Sequence, residues 1–197
     1  MSLRVAVQMD PLDRINVAGD STFAIMLKAQ ELGHELYWYA PEDLSFAEGR
    51  LWTMGYPVKV QRVVGDHYSF GEPRILDLGK NVDVVLMRQD PPFDLGYITA
   101  THLLERIEGE IRSNLAVGGK AAKTELTSGE EAICAALGPE LKKRGLLFAG
   151  IDVIGGKWLT EINVTSPTGI VAIDQFNGTD TPGLIWLAIE RKLAARD

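Results

Sequence analysis

Several common chemistries are excluded by what this sequence lacks. Cys134 is its only cysteine, so no internal disulfide can form. The surrounding Ala132-Ile133-Cys134-Ala135-Ala136 reads as the packed face of a helix, which makes a structural thiol the expectation rather than a nucleophile. The three histidines, His34, His67 and His102, are scattered without metal-ligand spacing, and each reads as a surface or satisfied core residue. No apolar run is long enough to span a bilayer. No signal segment precedes the first strand-like run, and a reducing cytoplasm is the expected setting. There is no G-x-x-x-x-G-K-[ST] loop, no G-x-G-x-x-G after the first strand, and no G-x-S-x-G nucleophile motif. Positive charge is scarce, with 20 Lys and Arg against 27 Asp and Glu, a net charge of −7. Nucleic acid is therefore not expected as the main partner, because phosphate backbones need clustered cations. A small anion in a local basic pocket remains compatible. Repeats, low-complexity tracts and linkers are absent as well.

What is present reads as an ordinary globular protein of 197 residues, 46% hydrophobic and 24% charged, long enough to bury a sizeable core. Leu3 to Met9 is a β-rich run stopped by Asp10-Pro11. Asp20 or Ser21 then caps a helix that runs to about Leu32 and ends at Gly33. His34 to Tyr39 is a second strand. This β–loop–α–β start predicts an open, wound α/β sheet, whose ligands sit beyond the carboxyl ends of the strands. Here that means Met9-Asp10-Pro11 through Ser21, where either an anion site or a plain capped helix fits the pattern. Leu44 to Thr53 reads as a hairpin turning at Glu48-Gly49, and Val58 to Val64 as a further strand. Tyr68, Phe70 and Ile75 are expected to anchor the mixed segment 65–79. Val82 to Met87 reads as a central strand delivering Arg88-Gln89-Asp90 to the same edge as Asp10, either as a site or as an ion pair on a proline turn. Residues 95–107 read as helix, and 108–120 as a glycine-bearing lid or binding loop. Thr127-Ser-Gly-Glu130 is a capping box for a helix to about Arg144. A final helix presents the stripe Leu184, Ile185, Leu187, Ala188, Ile189 and Leu193.

Between the last two helices, two strand-like runs flank Gly155-Gly156, a pair suited to the positive φ of a two-residue hairpin turn. That loop would set Ile154 opposite Lys157 and Asp152 opposite Leu159. Alternation would then place Asp152, Leu159, Glu161 and Asn163 on one face, with Asp152 and Glu161 diagonal neighbours. Hard oxygen ligands without a nearby cation suit Mg²⁺. Spacing alone leaves a metal site and the polar face of an ordinary hairpin equally open.

Several stretches together resemble bacterial glutathione synthetase, a carboxylate–amine ligase of the ATP-grasp superfamily. They are Met9-Asp10-Pro11 with Ile15-Asn16 and Asp20-Ser21-Thr22-Phe23-Ala24; Leu86-Met87-Arg88-Gln89-Asp90-Pro91-Pro92-Phe93-Asp94; Arg112-Ser113-Asn114-Leu115-Ala116-Val117-Gly118-Gly119; and Gly150 to Ile154 followed by Leu159 to Thr168. They occur in family order and cover most of the chain. The resemblance implies an α/β fold with an N-terminal wound parallel sheet of the pre-ATP-grasp type, residues 1–107. A C-terminal α+β remnant of the ATP-grasp domain would follow over 108–197. It implies ATP-dependent ligation of γ-glutamylcysteine and glycine through an acyl phosphate, with Mg²⁺ or Mn²⁺ and ATP as co-substrate. By the same resemblance Asp152, Glu161 and Asn163 match metal ligands, and Asn163 also a cofactor contact. Arg112 and Asn114 match a catalytic loop, while Asp20, Ser21, Arg88, Ser166 and Thr168 match the substrate pocket. A homo-oligomer is expected, with no membrane partner.

The chain also departs from that family. Family members carry a further block at the 107/108 junction, which holds the central lid, a glycine-rich phosphate loop, the lysines that grip ATP and the adenine clamp. Lys120, Lys123, Lys142, Lys143 and Lys157 lie in other contexts. The resemblance therefore implies little ligase activity from the shortened chain alone. The alternatives are a non-catalytic module that binds γ-glutamylcysteine or glutathione, and a truncated structural core.

Overall fold

The computed structural model describes residues 2–89, 99–100, 103–104 and 122–195. The segment Asp90-Pro91-Pro92-Phe93-Asp94, His102, the 108–120 loop, Arg112 and Asn114 lie outside them. Of the expected 95–107 helix, positions 99–100 and 103–104 are described and are helical.

Strand β1 (Arg4–Gln8) is the centre of the main sheet. It pairs in parallel with β2 (Glu35–Tyr39) on one side and with β7 (Val84–Met87) on the other. Because neighbours cover both faces of β1, its sequence is a continuous apolar run rather than an alternating one. Val5 and Val7 lie in a core with Phe23, Ile25, Met26 and Ala29 of helix α1 (Ser21–Glu31). Ala6 faces the other way, into a cluster with Tyr39, Leu51, Leu78, Met87, Ala100 and Leu104.

Beyond β2 the sheet becomes antiparallel. β4 (Arg50–Val60) is one eleven-residue strand rather than the two that the sequence pattern predicts. It carries β3 (Ser45–Ala47), β5 (Tyr68–Phe70) and β6 (Arg74–Asp77) along its length and pairs with β2 through Tyr37–Pro57 and Trp38–Tyr56. The apparent break at Gly55-Tyr56-Pro57 is a close approach. A Cβ on Gly55 would fall 2.3 Å from Leu76 Cδ1, so only glycine lets β6 pack there. In β6 the buried anchor is Leu76, while the expected Ile75 is exposed. The predicted β3–β4 turn forms with positive φ at Glu48 (53°) and Gly49 (76°), as a two-residue hairpin loop requires.

The chain's last third returns to the first core. Helices α3 (Ile170–Asn177) and α4 (Thr181–Ala194) add Ile170, Val171, Ile185 and Trp186 to the cluster around α1, so residues from both sides of the 107/108 junction share one core. Trp186 is fully buried, and its Nε1 donates to Ile25 O at 2.9 Å. The packed stripe of α4 is Ile185, Trp186, Ile189 and Leu193; Leu184 and Leu187 of the predicted stripe face solvent. Helix α2 (Ser128–Lys143) has the expected capping box on Thr127 and Glu130, and Gly145 follows its end with φ 74°. It buries none of its residues, so Cys134 is exposed rather than packed. Among the described residues, no helix is long and apolar enough to cross a membrane.

Candidate functional site

The sheet order places β2 and β7 on opposite sides of β1, so the chain's path reverses at the carboxyl ends of β1 and β7. Such a reversal opens a crevice between adjacent strand ends. Three pieces meet there: the loop after β1, the start of α1, and the turn that leaves strand β9 (Trp158–Asn163).

Asp20 caps α1, its Oδ1 accepting from Phe23 N at 2.6 Å. This satisfies one of the free N–H groups of the first turn. Ser21 beside it is 3% exposed, and its hydroxyl has no hydrogen-bond partner. A buried hydroxyl without a partner at a helix N-terminus is an unfilled polar position.

Arg88 stands just past the end of β7 and is buried. Its Nε donates to Thr22 Oγ1 at 3.0 Å and its Nη2 to Pro167 O at 3.0 Å. Its backbone N–H donates to Gln8 O at 2.7 Å, extending the β1–β7 ladder by one rung. The guanidinium therefore joins α1, the sheet and the turn after β9. A second tie runs from Ser166 Oγ to Met87 O at 3.4 Å. Behind this junction the Gln8 side chain donates to Gln89 Oε1. Tyr39 pairs with Gln8 in register; burial pushes its hydroxyl pKa up, so it stays neutral.

The second half of the site is the hairpin of β8 (Gly150–Ile154) and β9. Its loop has three residues, Gly155-Gly156-Lys157, so Ile154 pairs with Trp158 and Val153 with Leu159. The register then shifts between Asp152 and Val153, and Asp152 sits directly opposite Glu161. The diagonal placement and the Leu159 position expected from a two-residue loop are corrected accordingly. The extra residue is Thr160, whose hydroxyl donates to Asp152 O at 3.1 Å. A bulge of this kind re-aims side chains. Here it brings the two carboxylates into direct register, where Cβ atoms are roughly 4.5–5.5 Å apart. Gly150 pairs with Asn163, which puts Asn163 on the same face.

Asn163 is buried, and its Oδ1 accepts from Thr165 N and Ser166 N, both at 3.3 Å. The oxygen therefore holds the turn, while Nδ2 has no partner. Thr168 is exposed next to Gly169, which enters α3 with φ 84°. Asp20, Ser21, Arg88, Ser166 and Asn163 thus belong to one junction. Asp152 and Glu161 lie further out along the hairpin, and Thr168 lies at the junction's rim. Among the described residues no group of three or more His, Cys, Asp or Glu side chains could hold a metal. Thr22 and Gln8 carry no role in the sequence reading, and Gln89 enters it only as part of Arg88-Gln89-Asp90. Their signal is tertiary: a hydroxyl in the first turn of a helix opposite an arginine 66 positions away, and two amides on neighbouring strand ends.

Two family models and several named relatives match this chain. The family model described as prokaryotic glutathione synthetase, N-terminal domain, matches residues 3–114, and the model described as prokaryotic glutathione synthetase, ATP-grasp domain, matches residues 97–178. A protein of Rhodopseudomonas palustris named glutathione synthetase is 34% identical over 315 aligned positions, covering 98% of this chain and 100% of the relative. One from Agrobacterium fabrum is 32% identical over 314 positions, covering 98% of each. A Pseudomonas putida protein of the same name is 27% identical over 319 positions, with both chains fully covered. The N-terminal model over residues 3–114, more than half of the chain, and relatives 32–34% identical over 98% of it establish that the chain belongs to the prokaryotic glutathione synthetase family.

Proposed function

We propose that this chain is the scaffold of an ATP-dependent ligase that joins γ-glutamylcysteine to glycine. In that reaction the substrate carboxylate takes the terminal phosphoryl group of ATP and releases ADP. The glycine amine then attacks the acyl carbon, and phosphate leaves as the amide forms. The observation that carries the reading is the junction at the β1–β7 crevice. Arg88, Thr22 and the Asn163–Pro167 turn gather at the start of α1, where the buried Ser21 hydroxyl is left without a partner. Helix N-termini favour anionic groups, so this is where a carboxylate of the peptide substrate would bind. Arg88 and Ser166 act by fixing the turn, and Asp20 by shaping the first turn of α1. Thr168 at the rim and the loop residues Arg112 and Asn114 complete the proposed set.

The Asp152–Glu161 pair fits a hard divalent cation, Mg²⁺ or Mn²⁺. Two carboxylates stand in register, and neither has an ion-pair partner among the described residues. One or two carboxylates with water and phosphate oxygens are the usual protein share of a Mg²⁺ site. When bound, such an ion neutralises charge on the transferring phosphoryl group. Asn163 supports the pair through the turn, because its oxygen is already engaged.

The deciding experiment is a coupled ADP-release assay on the intact chain with ATP, γ-glutamylcysteine and glycine, with glutathione confirmed by mass. Turnover abolished in Glu161→Gln confirms the ligase. The missing block at the 107/108 junction leaves one other reading, a module that binds without turnover. Calorimetric binding of γ-glutamylcysteine or glutathione with no ADP release would select it. Absence of both would refute the site itself.

A further inference from the structure

We propose that His67 and Arg62, supported by Trp38, are positioning residues that hold the β1–α1 loop in its substrate-facing shape. The proposal rests on the reading that this loop meets γ-glutamylcysteine. The loop from Asp10 to Asp20 has no strand partner. Its internal bonds close a 3-10 turn at Leu12–Arg14 and a second turn at Asn16, whose carbonyl accepts from Gly19 and Asp20. Neither turn fixes where the loop lies over the sheet.

Three side chains from outside supply that. His67 Nε2 lies 2.6 Å from Leu12 O, Arg62 Nη1 donates to Val17 O at 3.2 Å, and Trp38 Nε1 makes a longer contact to Asp10 O at 3.4 Å. A carbonyl can only accept, so Nε2 carries the proton in this contact. The His67 ring is buried edge-on between Phe23 and Tyr68, with centroids 5.9 and 5.0 Å away, so its neighbours set the direction of Nε2. Phe23 belongs to α1 and Leu12 to the loop, so one ring touches both sides of Asp20 and Ser21. The brace is itself anchored. Gln61 N donates to His67 O, and Gln61 Nε2 to Asp66 O, closing the connection between β4 and β5.

His67 Nδ1 is buried without a partner. An unsatisfied polar atom costs free energy that a phenyl ring would avoid. The donor at Nε2, not the packing of the ring, is therefore what the position supplies.

The test compares His67→Phe, which keeps the ring and removes the donor, with His67→Gln, whose amide nitrogen stands where Nε2 does. Hydrogen exchange of residues 10–20 in the full chain is read alongside calorimetric affinity for γ-glutamylcysteine. His67→Phe should speed loop exchange and weaken binding, each about tenfold, the scale of one lost hydrogen bond. His67→Gln should restore most of both. Unchanged loop exchange in a folded His67→Phe protein overturns the brace, and so does failure of His67→Gln to restore it. A loosened loop with unchanged affinity overturns its role toward substrate. If the wild-type chain binds no peptide, the functional reading fails by itself, and loop exchange still decides the brace. Should His67→Phe not fold, Arg62→Met, on an exposed residue, must still loosen the Asn16–Asp20 turn or the proposal falls.

Discussion

Arg88→Lys is the substitution that most directly tests how this molecule is held together. The arginine reaches two acceptors on different elements, Thr22 Oγ1 and Pro167 O, each at 3.0 Å. Its planar fork makes both bonds from one side chain, whereas a lysine ammonium at the end of a flexible stem serves one of two diverging acceptors. A hydrogen bond from a charged donor contributes about 1.5–3 kcal/mol. Losing one, in a buried position where the abandoned acceptor stays dry, should therefore cost about 2–3 kcal/mol. For a chain of this size about 2–4 °C in Tm accompanies each kcal/mol, which makes the expected drop roughly 4–12 °C. Scanning calorimetry measures it, and a double-mutant cycle with Thr22→Val locates it. Coupling between positions 88 and 22 should be about 1 kcal/mol or more if the Nε contact is real. An Arg88→Lys protein that melts within a degree of wild type, or strict additivity with Thr22→Val, would refute the clamp.

Three further outcomes follow from the same geometry. Gly129→Ala lies in a helix, where alanine ordinarily stabilises by about 1 kcal/mol, yet its Cβ would meet Gly156 O at 2.0 Å; urea titration should show a loss of about 1–3 kcal/mol instead. His34 is buried against Trp186, and desolvation first, then the chain's amino terminus, hold its pKa below the ordinary value, with Glu190 opposing. The unfolded chain then binds the extra proton, so wild-type Tm should fall as pH drops through about 6.5 and below, and His34→Phe should flatten that slope. The Arg4 guanidinium, aided by the Arg4 backbone N–H, holds the Asp83 carboxyl below its usual range. Its stabilisation is present above about pH 4 and fades on further acidification, so the Tm gap between wild type and Asp83→Asn should close at low pH.

Local chemistry made much of the fold legible. The apolar run of β1, the Asp20 cap, Gly33, the Glu48-Gly49 turn and the Thr127–Glu130 capping box each act within a few residues of themselves, and each forms as its pattern predicts. Errors arose where a distant neighbour decides. Gly55-Tyr56-Pro57 looks like a break until Leu76 is seen packed against Gly55. Cys134 looks buried because apolar residues surround it in sequence, but that helix buries none of its residues among the described ones. Leu184 and Leu187 look like core until Trp186 takes the place beside His34.

The same division runs through the site. Sequence alone determined the class of fold, the family, and the identity of the oxygen-bearing residues on the hairpin, because strand alternation and motif order are properties of the chain. It also named Arg88, Ser166 and Asn163. Only the tertiary structure decided what those residues do. The three-residue loop and the Thr160 bulge each shift the register by one residue, and together they move Asp152 from a diagonal position to one directly facing Glu161. Asn163 turns its oxygen to the backbone of Thr165 and Ser166. Among the described residues, Arg88 donates to Thr22 and Pro167, contacts between residues 66 and 79 positions apart that no local pattern encodes. Hydrogen-bond partners are chosen by which groups are left unsatisfied once the elements have packed, and that is settled only in three dimensions.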